Sequence, residues 1–119
     1  MVRAAVNIAV DDVRLSSRWY QTLLGCSSPM RSDSDHRELF DLIQDADGNA
    51  LVILSRWGHN PLPSLQNKSS DRPGHGSALF FALSDFEESW ARAQRLEAEV
   101  LASPHPSRGF EVLEFTVVD

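Results

Sequence analysis

The chain has 119 residues, with 11 Lys and Arg against 17 Asp and Glu, a formal charge of −6 and a single Cys. That length suits one domain with a core of its own, and one Cys excludes both an internal disulfide and a zinc site built on paired cysteines. The acid is spread, with six basic and eight acidic residues in 1–60 and five and nine in 61–119. This excludes the basic stripe of a nucleic-acid binder, and no apolar run approaches the roughly 18 residues of a membrane span. Met1 to Ala5 leads straight into a strand pattern without a signal peptide, so the expected location is the cytoplasm.

Residues 3–10 are rich in Val and Ile and alternate loosely, which predicts a strand. Asp11-Asp12 offers an N-cap for a helix carrying Val13, Leu15, Trp19, Leu23 and Leu24, and Gly25 stands where a left-handed C-terminal residue is wanted. Cys26 to Arg31 is expected to form a short edge strand in spite of Pro29. Leu39 to Ile43 and Ala50 to Ser55 are predicted strands, joined through the turn signal Asp45-Ala46-Asp47-Gly48-Asn49. The stretch from Trp57 to Gly76 is rich in Pro, Gly, Ser, Asn and His, has no periodicity and reads as a connection. Beyond it the pattern restarts. Ser77 to Leu83 is strand-like, and Ser84-Asp85 caps a helix with Phe86, Trp90, Ala93 and Leu96 on its apolar face. Glu88 stands at the spacing of a capping box. Val100 to Ser103 and Phe110 to Val118 are the last predicted strands.

The two halves superpose in sequence at an offset of about 73 residues, which is the mark of a duplicated unit. Val10-Asp11-Asp12 falls on Leu83-Ser84-Asp85, and Asp45 falls on Asp119. The predicted fold is α+β: two tandem βαβββ modules forming a cupped, partly open mixed sheet with helices on the outer face. Module one spans 1–58, the connection 59–75 and module two 76–119, all within a single domain. The fourth strand of the second module, roughly ten residues by the repeat, has no counterpart in this sequence.

Val10-Asp11-Asp12, Trp19-Tyr20 and Leu23-Leu24-Gly25 together resemble the "V-x-D … F-Y … L-G" helix of the vicinal oxygen chelate superfamily, the group of glyoxalases, bleomycin-resistance proteins and extradiol dioxygenases. Asp45-Ala46-Asp47-Gly48-Asn49 is similar to that group's D-P-D-G-N turn, with Ala46 in place of Pro, and Gly74-His75-Gly76 resembles the opening of its second module. The resemblance implies an active cleft on the concave sheet face, often in a homodimer. In the metalloenzymes of the group, a divalent ion is held there by His or Glu from the first and fourth strands of each module. Carried over, those ligand positions fall on Ala5, Ile53 and Ala78, with the fourth in the absent strand. Ala and Ile have no lone pair to offer, so neither a metal nor any other cofactor is expected.

No H-x-x-x-H or H-E-x-x-H spacing joins His36, His59, His75 and His105. His59, in Trp57-Gly58-His59, is the one expected near the cleft mouth. The others read as loop or surface residues, and Cys26 reads as a packed small residue. Glu111 and Glu114 fall on opposite faces of their strand. Alternation places Ala5, Asn7 and Ala9, then Ile53, Ser55 and Trp57, and then Ala78, Phe80 and Ala82 on the cleft side, whereas Leu79, Phe81 and Leu83 face the core. The candidate ligand-binding residues are therefore Asn7, Ile53, Trp57, His59, Ala78 and Phe80, lining an apolar cup with an aromatic floor. Trp19, Phe86 and Trp90 are assigned to core packing. Three functions fit this reading. One is a metal-independent protein that binds an aromatic or cationic small molecule such as an antibiotic. The second is a metal-dependent lyase, isomerase or dioxygenase, and the third is a non-catalytic assembly module. The partners expected are a small-molecule ligand and a second copy of the chain, with neither nucleic acid nor membrane.

Overall fold

The structure, a computed structural model, describes residues 5–30, 35–58, 78–107 and 112–118. Its elements in chain order are β1 (Val6–Val10), α1 (Val13–Leu24), a 3₁₀ turn (Asp35–Glu38), β2 (Phe40–Gln44), β3 (Ala50–Arg56), α2 (Phe86–Arg95), β4 (Glu99–Pro106) and β5 (Leu113–Val118). The strands form a mixed three-stranded sheet in the order β1-β3-β2 and a separate two-stranded β4-β5 ladder. The chain is thus α+β, and no closed barrel forms among the described residues.

β3 is the centre of the first sheet. It pairs in parallel with β1, Asn7 opposite Ile53 and Ala9 opposite Ser55, and antiparallel with β2, Phe40 opposite Ser55 and Leu42 opposite Ile53. One sheet face is closed by α1. Ile8 and Val10 of β1, Ile43 of β2, and Val52 and Leu54 of β3 meet Val13, Tyr20 and Leu24 of the helix in a single apolar cluster. The helical stripe Val13, Ser17, Tyr20, Leu24 sets which residues go inward. Leu15, expected on that face, is 60% exposed, because it lies about 200° around the helix from Val13.

Both ends of α1 follow the sequence signals. The Asp12 carboxylate accepts the Leu15 N–H at 3.0 Å, and Gly25 turns left-handed at φ +64° while the Cys26 N–H reaches the Gln21 carbonyl at 3.0 Å. In the turn after β2, Asp45 Oδ1 accepts from the N–H groups of Asp47 and Asn49, and Gly48 adopts φ +81°. The edge strand expected over 26–31 shrinks to one bridge, Ser27 with Gln44. Pro29 has no N–H to extend it, and the Ser28 hydroxyl turns away to Asp41 while accepting the Met30 N–H.

In the second half, α2 packs on α1 through Ser89 and Ala93, both fully buried. Phe86 and Trp90 are half-buried and close on Phe115 of β5 at ring separations of 5.4 and 5.1 Å. The expected capping box does not form. The Asp85 side chain makes no cap hydrogen bond and pairs instead with Arg92 at 2.8 Å, a guanidinium that also lies 3.8 Å from Glu88. Arg92 Nε and Ser89 Oγ both donate to the Leu23 carbonyl, so an otherwise unpartnered end of α1 is satisfied by α2.

Residues 78–83 depart from expectation. Their burial alternates as predicted, with Leu79, Phe81 and Leu83 against the core cluster and Ala78, Phe80 and Ala82 exposed, yet they form no strand. β1, their counterpart in the first half, is held in a ladder by β3. Among the described residues no strand takes that place beside 78–83.

Candidate functional site

Among the described residues, no helix lies on the sheet face away from α1. Register and alternation bring Asn7 and Ala9 of β1, Ile53 and Ser55 of β3, and Phe40 and Leu42 of β2 onto it as two rows, Asn7–Ile53–Leu42 and Ala9–Ser55–Phe40. Ala9 and Ser55 are buried, Asn7, Ile53 and Leu42 half-buried, and Phe40 is 44% exposed. At its centre the Ser55 hydroxyl donates to Asn7 Oδ1 at 2.7 Å. The face is apolar with one oriented polar pair, the chemistry of a small-molecule surface.

The candidate residues read from the sequence are distributed unevenly around it. Asn7 and Ile53 sit directly opposite each other on this face. Trp57 follows β3 in a turn, half-buried, with its N–H on the Val10 carbonyl at 2.8 Å. Ala78 and Phe80 are exposed on the unladdered segment, Phe80 to 90%. His59 lies outside the described residues, as do His75 and Glu111. Phe40 and Leu42 were not singled out in the sequence, although the alternation Leu39 to Ile43 carries the signal once Ile43 is known to face inward.

The buried face of the sheet holds a group that sequence reasoning missed altogether. Asp41, fully buried on β2, receives Ser17 on Oδ2 and Ser28 on Oδ1, each at 2.5 Å, and the Leu42 N–H on Oδ1 at 2.8 Å. Arg37 completes the set with Nη2 at 3.1 Å and Nε at 3.3 Å from Oδ2. Burial by itself raises a carboxyl pKa. Here the hydrogen bonds from Ser17, Ser28, Leu42 and Arg37 outweigh it and hold Asp41 below its ordinary value. This is a charge satisfied from every side, and it ties α1, the Ser28 segment and the 3₁₀ turn to β2.

His105, expected as a loop or surface residue, lies on β4, and Glu114 on β5. They are cross-strand partners in the β4–β5 ladder, with Nε2 to Oε1 at 3.1 Å and Nδ1 against the Ser103 carbonyl at 2.7 Å. Cys26 is half-buried beside the core. Burial pushes its thiol up, and Asp45 and Asp85 add to that against the opposing pull of Arg92. A depression of about 280 Å³ at the start of α1 is lined by Asp11, Asp12, Val13, Arg14, Glu38 and Arg56, apart from the Asn7–Ile53 face.

The ligand positions implied by the resemblance were Ala5, Ile53 and Ala78, whose side chains do not fit a metal ion. No group of three His, Cys, Asp or Glu able to hold one occurs among the described residues. No helix of the described residues is long and apolar enough to cross a membrane.

The whole of this chain superposes on several solved structures. TioX from Micromonospora sp. ML1 is 14% identical with a TM-score of 0.66, the match covering 100% of this chain and 90% of that one. An integron cassette protein from the mobile metagenome of V. cholerae is 11% identical at 0.64, with 100% and 89% covered. Protein ATC0852 from Agrobacterium tumefaciens is 21% identical at 0.60, again with 100% and 89% covered. The chain shares their fold. Neither protein-family models nor curated protein sequences match it.

Proposed function

We propose that this chain is a small-molecule-binding protein of the vicinal oxygen chelate superfamily, akin to its bleomycin-resistance members. On this reading it is a single domain of two tandem βαβββ modules, 1–58 and 76–119, joined by 59–75. It works in the cytoplasm as a homodimer and sequesters an aromatic or cationic compound such as an antibiotic without a metal. The observation that carries the proposal is the sheet face that no helix of the described residues covers, where apolar side chains surround one Ser–Asn pair. Its support from sequence is the ordered set Val10-Asp11-Asp12, Trp19-Tyr20, Leu23-Leu24-Gly25 and Asp45 to Asn49, with Ala5, Ile53 and Ala78 where metal-using relatives need His or Glu.

Asn7 and Ile53 form the floor of the proposed site. Trp57, His59, Ala78 and Phe80 are its wall and mouth. An exposed ring such as Phe80 is suited to stacking, which adds about 0.5–1.5 kcal/mol beyond area burial. Unladdered residues and an exposed sheet edge favour pairing with a second copy. The test is a thermal-shift panel of aromatic and cationic compounds, run with and without Ni, Zn, Fe and Mn, alongside sedimentation at micromolar concentration. The proposal expects metal-independent stabilisation by part of the panel, weakened by Trp57→Ala and Phe80→Ala, and a dimer. Turnover of a hemithioacetal or catechol that appears only with metal would replace it with the enzyme reading.

A further inference from the structure

We infer that the Asn7 amide, held in one orientation by Ser55, makes this face select an uncharged aromatic compound bearing a hydrogen-bond-accepting oxygen over a cationic one. This rests on the small-molecule reading above and narrows its ligand class. A serine hydroxyl carries one proton, and Ser55 spends it on Asn7 Oδ1 at 2.7 Å. In this arrangement the amide oxygen faces Ser55. Its oxygen is engaged, and its NH₂ has no hydrogen-bond partner among the described residues. Asn7 is half-buried, so an amide donor left without a partner under a bound ligand carries its full desolvation cost, and an acceptor oxygen placed there removes that cost.

The surroundings favour the same ligand. Ala9, Ile53, Ser55, Phe40 and Leu42 share the face with Asn7, and none is charged. The one carboxylate of β2, Asp41, points to the opposite face, where Ser17, Ser28 and Arg37 already satisfy it. A cation on the Asn7 face therefore loses water, finds no counter-charge among the described residues and meets the donor end of an amide. An aromatic ketone or ester loses little and gains a hydrogen bond. Ser55 acts as a positioning residue, and Asn7 makes the contact.

The test uses two probes of one shape, 2-acetylnaphthalene and 2-naphthyltrimethylammonium, titrated into the ¹⁵N-labelled chain and followed by two-dimensional NMR. The ketone is expected to move the Asn7 side-chain NH₂ pair and to bind at least fivefold more tightly than the cation. Asn7→Asp, which puts a carboxylate in place of the amide, should reverse that order. Ser55→Ala should weaken ketone binding several-fold with the backbone spectrum of β1 and β3 retained, and Ser55→Thr, which keeps the hydroxyl, should restore it. Should Ser55→Ala fail to fold, Ser55→Thr and Asn7→Asp carry the test. If the ketone binds the face with the Asn7 amide unmoved, or the two probes bind equally well, the selectivity is refuted and small-molecule binding stands. If neither probe disturbs β1, β2 or β3, small-molecule binding at this face fails, and the selectivity goes with it.

Discussion

The two halves of the chain start from the same pattern and reach different degrees of order in their sheets. In the first half, β1, β2 and β3 share one sheet because β3 supplies a ladder edge to each neighbour, and α1 closes its inner face. In the second half, 78–83 keeps the alternation of a strand, yet among the described residues it has no ladder and β4 and β5 pair with each other alone. Alternation of apolar residues decides which way side chains face. Pairing needs a partner strand in the right place, and the central one matters most.

The halves also differ in how they use carboxylates, and this gives the largest expected effect. Asp41→Ala should cost about 3 kcal/mol or more in urea unfolding, because it strands Arg37 and two hydroxyls inside the protein. The exposed Asp85–Arg92 pair should contribute far less on the Asp85 side. Acid sharpens the same contrast. The Asp41 pKa is lower folded than unfolded, so its stabilisation is complete above the ordinary carboxylate value of about 4 and is lost as the pH falls through the folded value. Urea midpoints between pH 2 and 7 should show that loss in the wild type, and Asp41→Asn should remove the Asp41 share of it.

A smaller effect is expected where the halves join. Arg92→Met removes the bond to the Leu23 carbonyl and should cost about 1.5–2 kcal/mol. Amide exchange should then quicken at the end of α1 and along α2, leaving β1–β3 protected. A cost spread evenly over the first sheet would mean that the halves are not joined through this residue. Asp12→Ala should cost about 1 kcal/mol through the lost cap of α1. The smallest change is Leu15→Gln, on the outer side of α1, which should stay within about 0.5 kcal/mol.

Local chemistry was legible in the sequence wherever a residue acts on its own neighbours. Asp12, Gly25 and the Asp45 to Asn49 turn do what their types predict, since a cap or turn is decided within a few residues. Asn7 and Ile53 could be placed on one face by period alone, and the parallel register sets them opposite each other. Long-range polar choices were not legible. Nothing near Asp41 in sequence announces that Ser17, Ser28 and Arg37 converge on it, and Asp85 looked like a helix cap until Arg92, seven residues on, claimed it. Over 78–83, the described part of the strand predicted at 77–83, no ladder forms among the described residues, because a ladder partner is a property of the whole sheet.

The parallel pairing of β1 with β3 also sets an order of assembly. The β2–β3 hairpin closes through a five-residue turn that organises itself around Asp45, so it can form early from local contacts. Val6 and Val52 lie far apart in the chain, so their pairing closes a much longer loop than the hairpin does. β1 is therefore expected to join after the hairpin, and the Asn7–Ser55 contact with it. On that order, slow refolding phases should report through Asn7, and the face it belongs to is complete only when β1 has docked.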